Sequence, residues 1–281
     1  MKKIILAFLF TGLSFASVIS QIEKSPSYMI EVGEQTDTEI TEQSFYEIVV
    51  QGIGLYHEMA KEQDRNLVVK VLDWKMPYFS AWARYEKETN LYTVNFWGGF
   101  ARINGTTERG FALTVCHEIG HILAQAPFHK IEDSKMMSAE GQSDYFAASQ
   151  CFKKYHHNYP FSRETELDPY AASKCESQFK EDEEQKDLCF QTAKAGKDLS
   201  VVLAFIGQSD LPKYDTPQQL VVPETLYNSY PDIQCRLDTY LQGALSGYDT
   251  KLNKVVTSEE MRPKCWFNNE KTTYDAGQID D

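Results

Sequence analysis

What the chain has little of narrows it first. Basic residues are scarce: 28 Lys and Arg stand against 41 Asp and Glu, a formal net charge of −13. Binding nucleic acid relies on a basic face that neutralises phosphates, so no nucleic-acid partner is expected. Beyond residue 20 no apolar run approaches the roughly 20 residues a spanning helix needs. There is no internal repeat and no long Gly/Ser-rich or Pro-rich linker. A wholly disordered or collagen-like chain is excluded too, because 42% of the residues are hydrophobic and 25% charged, an ordinary globular balance.

The first twenty residues carry the compartment. Met1-Lys2-Lys3 is a short basic start, Ile4 to Ala16 is largely apolar, and small residues from Ala16 to Ser20 follow. This is the pattern of a secretory signal peptide. The apolar stretch is too short for a membrane anchor and is interrupted by Thr11, Gly12 and Ser14. No Cys follows it, so a bacterial-type lipid anchor is not signalled. Cleavage near Ser20 or Gln21 removes two Lys and no acid, leaving 26 basic against 41 acidic residues, a mature charge of −15. The mature chain is expected to be periplasmic or extracellular, without stable membrane insertion. In an oxidising compartment its six Cys suggest up to three disulfides. Cys175 and Cys189 are close enough to staple a helical hairpin, and Cys235 and Cys265 to tie the last helix to the tail. The sequence does not choose among the connectivities.

Hydrophobic periodicity divides what remains. Residues 21–40 are polar and read as a loose N-terminal segment. From Glu42 to Glu62, Phe45, Ile48, Val49, Ile53, Leu55, Tyr56 and Met59 fall mostly at helical spacing. Leu67–Leu72 reads as a buried strand, and Ser80–Tyr85 with Leu91–Phe96 as a hairpin. Trp97–Ile103 reads as a further short strand ending at the Asn104-Gly105 turn. Helices are expected near 108–124, 138–154, 168–208 with breaks, and 233–245. This order predicts an α+β domain over residues 41–281. Its first part, 41–125, holds the sheet and a central helix, and 126–281 is mainly helical.

The chemistry concentrates in His117-Glu118-Ile119-Gly120-His121. Two His four apart on a helix sit about 40° apart around its axis, so both imidazoles can bind one metal ion. Catalytic zinc needs a third protein ligand and an open position. A third His six residues after the second, following a Gly at three, is ruled out: those positions are Pro127 and Ala124, and His129 falls two residues too late. A carboxylate on a following helix is present instead, in Glu140-Gly141-Gln142-Ser143-Asp144-Tyr145-Phe146. Glu140 and Asp144 are again four apart. Asp144 is placed to accept the second ring N–H of His117, as carboxylates commonly do for ligating imidazoles.

With His117-Glu118-x-x-His121 and Glu140-x-x-Ser143-Asp144-x-Phe146 in view, the sequence resembles the gluzincins, the thermolysin-like zinc metallopeptidases. The resemblance covers about thirty residues closely. It implies a zincin-like fold, one zinc ion held by His117, His121 and Glu140, Glu118 as general base, Asp144 as the partner of a ligand, and a peptide or protein substrate. The mechanism it implies is attack of a zinc-activated water on a peptide carbonyl, with Glu118 carrying the proton to the leaving amine. The run Gly98, Gly99, Phe100, Ala101 is a candidate edge strand for an extended substrate, although the double glycine fits a bulge or turn equally well. Such enzymes usually add a downstream His or Tyr to stabilise the oxyanion. Here His156 and His157 come early for that role and also read as exposed loop residues. Arg236 and Tyr240, with Tyr227 and Tyr230, are the other candidates, and Arg236 reads first as half of a structural salt bridge with a nearby acid. Two other functions fit parts of the pattern. One is a catalytically silent zinc-containing binding protein. The other is a zinc aminopeptidase, weakened by the lack of a Gly-x-Met-x-Asn motif before the zinc helix.

Overall fold

A computed structural model describes residues 29–34, 36–130, 137–162, 167–256 and 261–269. The expected signal peptide and the first part of the polar segment lie outside these residues. The rest of the polar segment is not a loose tail. Ile30 and Ile40 are buried, Ile30 N–H donates to Pro77 O at 2.9 Å, and the buried Arg102 guanidinium donates to Ile30 O through Nε at 3.0 Å. A sparsely patterned sequence is held here by backbone bonds to distant residues, which leave no periodic signal.

Helix α1 (Glu42–Glu62) starts at a capping box of Thr41 and Ser44. Three strands follow: β1 (Leu67–Asp73), β2 (Ala81–Glu86) and β3 (Leu91–Trp97). They form one mixed sheet in the order β1-β3-β2, with β1 parallel and β2 antiparallel to β3. The expected hairpin is therefore β2–β3, and among the described residues β2 has one unpaired edge. Trp97 N–H donates to Ser80 O at 3.0 Å. In the antiparallel alternation this turns the backbone groups of Ala81, Ala83 and Tyr85 away from β3.

The residues after β3 overturn one expectation. Gly98–Ala101 is not a strand but a single helical turn, α2, buried throughout. A Cβ on Gly98 would fall 2.0 Å from Trp74 O, and one on Gly99 would fall 1.9 Å from Pro77 O. The double glycine lets two backbone segments meet, so these four residues offer no free edge to a substrate.

Helix α3 (Glu108–Leu123), capped by Thr107, is buried along nearly its whole length. It packs on α1 and on the sheet, through a cluster in which the Phe45 and Phe111 rings stack at 5.4 Å and Phe96 meets Phe111 edge-on at 6.2 Å. The next helix starts as α4 (Glu140–Phe146), passes through a π-helical turn at Ala147–Cys151 and continues as α5 (Phe152–Asn158). Helices α6 (Pro169–Phe179), α7 (Glu183–Gly207) and α8 (Ile233–Leu245) follow, with α7 and α8 packed together and α8 against α4 and the π turn. A short hairpin, Tyr248–Asp249 with Lys254–Val255, comes next. The architecture is mixed α+β, as expected.

Three disulfides close the chain: Cys116–Cys151, Cys175–Cys189 and Cys235–Cys265. The last two are the pairs their spacing suggested. The first joins α3, one residue before His117, to the helix that carries Glu140. The set is consistent with an extracellular or periplasmic protein. Among the described residues no helix is long and apolar enough to cross a membrane.

Candidate metal centre

Two buried helices build the centre. His117 and His121 lie one turn apart on α3, and Glu140 is the first residue of α4. The helices approach closely because of Gly120: a Cβ there would fall 2.6 Å from Ser143 Oγ and 2.9 Å from Ser143 O. Ser143 Oγ also donates to the His117 carbonyl. The backbone after α3 completes the frame. Ser138 N–H donates to His121 O at 2.7 Å, and Ser138 O lies 2.9 Å from His121 Nδ1. His121 therefore carries its proton on Nδ1 and turns the Nε2 lone pair inward.

His117 Nδ1 lies 2.8 Å from Asp144 Oδ1, a close charge contact whose angle falls short of a hydrogen bond. Asp144 is fully buried and is held in turn by α8. Arg236 donates to it through Nε at 2.8 Å and Nη2 at 2.7 Å, and Tyr240 Oη at 2.8 Å. Two inward lone pairs thus face each other, His117 Nε2 to His121 Nε2, at 3.1 Å. Glu140 completes the triangle, with Oε2 3.3 Å from His117 Nε2 and Oε1 3.5 Å from His121 Nε2. Ligands tetrahedrally placed about 2.0–2.1 Å from zinc are roughly 3.3–3.4 Å apart, so the three edges fit one such ion. Glu140 Oε2 is buried without a hydrogen-bond donor, an arrangement that is costly unless a cation occupies the space. Among the described residues this is the group of His, Cys, Asp and Glu able to hold a metal ion.

The electrostatics of the ion-free group point the same way. Burial alone would lower the His117 imidazole, but the Asp144 charge in contact with it, with Glu140, outweighs burial and pushes it up to about 10. Burial takes His121 down to about 4. Burial would raise Glu140 and Asp144, yet His121 and His117 hold the first below the usual carboxylate range, and Arg236 and His117 the second. Glu118, 4% exposed, is pushed up to about 7 by burial, against the lowering effects of His117, Arg236 and the Ala83 N–H it accepts. That contact places the outward edge of β2 beside Glu118. The edge strand at the centre is therefore β2, through Ala81 and Ala83. Its only sequence signal is the small residues at alternate positions.

The remaining sequence candidates separate. Arg236 and Tyr240 belong to the site, but both are spent on Asp144, so the salt-bridge reading of Arg236 is the observed one. His156 is neither in a loop nor exposed. Its Nε2 pairs with Asp187 at 3.0 Å and its Nδ1 accepts the Phe161 N–H at 3.1 Å. His157 lies on the same helix and pairs with Glu184 at 3.6 Å. Neither joins the metal group, because α5 packs on α7. His129 stacks on His121 with centroids 6.0 Å apart, beside the group without joining it. Tyr230 lies near the centre: burial chiefly, with the Glu140 and Glu118 carboxylates beside its hydroxyl and against the effect of Arg236, raises it well above its ordinary value. By surface, 44% of the residue is exposed. A separate groove of about 500 Å³, lined by Phe79, Val201, Phe205 and Leu211, shares no residue with the centre.

The chain matches no protein-family model, no curated protein and no solved structure. The reading of the centre therefore rests on its own geometry.

Proposed function

We propose that the protein is an exported zinc metallopeptidase of the gluzincin type with a zincin-like fold. The observation that carries this reading is the triangle of His117, His121 and Glu140. Its edges of 3.1, 3.3 and 3.5 Å suit tetrahedral zinc, and a buried carboxylate, Glu118, stands next to it on the same helix. When bound, zinc would supply a water acidic enough to ionise near neutral pH and would polarise a carbonyl oxygen. The chain's own residues do the rest. Glu118 takes the proton of the attacking water and passes it to the leaving amine. Its burial raises its proton affinity above that of an exposed carboxylate. The outward edge of β2 pairs with an extended peptide through the backbone of Ala81, beside Glu118, which itself takes the Ala83 N–H. Tyr230 is the hydroxyl at hand to donate to the developing oxyanion. Arg236 and Tyr240 keep Asp144 ionised and His117 correctly turned.

The test is hydrolysis of casein and of a quenched peptide mixture by the mature protein, with and without a zinc chelator, beside Glu118→Gln. The reading expects cleavage by wild type, its loss with chelator, and a loss of at least about a hundredfold in the variant. Equal behaviour of wild type and variant contradicts it. Mapping of the products separates endopeptidase from aminopeptidase action. Zinc binding with no hydrolysis of any peptide would leave the silent binding protein.

A further inference from the structure

The loop ahead of α8 forms a strap over the metal centre. Its first part is anchored to the C-terminal segment. Val222 N–H donates to Lys264 O at 3.0 Å and Leu226 N–H to Trp266 O at 2.8 Å, Asn268 Nδ2 donates to Val222 O at 2.9 Å, and Cys235–Cys265 closes the corner. Past Leu226 the strap leaves this support and crosses to the segment that follows α3. Asn228 Oδ1 accepts the Lys130 N–H at 2.8 Å, and Lys130 Nζ stands 3.8 Å from the Tyr227 ring centroid. Two residues after Asn228 comes Tyr230, with its hydroxyl at Glu140.

Lys130 is itself well placed to serve as an anchor. His129 N–H donates to Met137 O at 2.8 Å, Phe128 bridges to Ser138, and Ser138 O faces His121 Nδ1. The backbone that holds His121 and opens the helix of Glu140 is thus the backbone Asn228 grips. Tyr230 keeps 44% of its surface exposed. Pro231 narrows its backbone to extended conformations, so the position of the hydroxyl follows the position of the strap.

We propose that Asn228 is a positioning residue: its side-chain oxygen, by gripping the Lys130 amide, sets the Tyr230 hydroxyl over the metal centre. The consequence for catalysis rests on the peptidase reading, and the consequence for Tyr230 does not. Two variants separate the grip from bulk. Asn228→Asp keeps the accepting oxygen, and Asn228→Ala removes it.

The experiment has two arms on the zinc-loaded full chain. In the first, Tyr230 is nitrated with tetranitromethane and its rate is followed by peptide mass mapping. We expect Asn228→Ala to nitrate several-fold faster than wild type and Asn228→Asp at the wild-type rate. Equal rates for all three overturn the proposal, whatever the protein's activity. The second arm measures peptide hydrolysis. Removing one oxyanion donor costs roughly 10²–10³ in kcat, so Tyr230→Phe sets the floor. Asn228→Ala should lower kcat by about ten- to fiftyfold with KM and zinc content unchanged. Asn228→Asp should restore it, and Asn228→Ala/Tyr230→Phe should be no slower than Tyr230→Phe alone. A double variant slower by the product of the single effects contradicts a role through Tyr230. A wild type that hydrolyses nothing while the nitration arm behaves as expected overturns the peptidase reading and leaves the positioning intact.

Discussion

Replacing Arg236 by Met tests how the centre is held, and its size follows from the contacts. Asp144 is fully buried and receives two bonds from Arg236, one from Tyr240 and the contact from His117. Removing one partner of a buried ion pair typically costs about 3–5 kcal/mol, because the other charge stays desolvated. In the metal-free protein His117, pushed up to about 10, is protonated at neutral pH, so Asp144 keeps one cation. The loss then falls near the lower end, about 3 kcal/mol. At about 2–4 °C per kcal/mol for a domain of this size, the melting temperature in chelator drops by roughly 6–12 °C. Zinc affinity falls by about 10- to 100-fold, since the carboxylate that orients His117 is no longer fixed. Adding Asp144→Asn should recover stability and not zinc affinity, because neutral partners relieve the buried charge without restoring the imidazole's basicity. Calorimetry in chelator and competitive zinc titration read the two quantities. A variant within about 2 °C of wild type that binds zinc as tightly would show that Arg236 does not hold Asp144 in place.

Further outcomes follow from the same contacts. Because His117 is protonated up to about pH 10 without an ion, zinc binding at pH 7–8 should release about one proton from it, seen as a buffer-dependent heat in calorimetry. The same raised affinity stabilises the metal-free fold fully below His117's ordinary 6.5, and that contribution fades as pH rises towards about 10. Lys153 is fully buried, donates to Ala244 O at 2.8 Å and to Ser246 O, and is lowered by burial from its ordinary 10.5 to about 7. Between those values the unfolded chain binds more protons, so wild-type stability should rise with pH relative to Lys153→Met; a difference independent of pH between 7 and 10 would contradict the assignment. Gly120→Ala drives a methyl into Ser143 and should cost about 1–3 kcal/mol with weaker zinc binding, checked by melting and metal titration.

The parts legible in the sequence are those with a local period. His117/His121 and Glu140/Asp144 each repeat at four residues, so their shared faces are fixed wherever a helix forms. The pairs Cys175/Cys189 and Cys235/Cys265 lie near enough along the chain to be suggested by spacing. What was not legible depends on distant backbone. The aromatic run of β3 continues past Trp97, and only the carbonyls of Trp74 and Pro77 turn Gly98–Ala101 into a helical turn. The π-helical turn inserts one residue between Asp144 and Cys151 without altering composition. Tyr230 and Asn228 sit in an aperiodic loop whose course is set by residues 264–268 and by Lys130. Tyr230 stood among six candidates for the oxyanion with nothing local to favour it.

His117, His121 and Glu140 together are proposed to hold one zinc ion. The most direct measurement is zinc stoichiometry after dialysis, read by atomic emission on wild type, Glu118→Gln and Glu140→Ala. About one zinc per chain is expected in the first two and a large loss in the third, since zinc needs three protein ligands here and Glu118 is not one of them. Wild type without zinc, or Glu140→Ala retaining it undiminished, would contradict the claim.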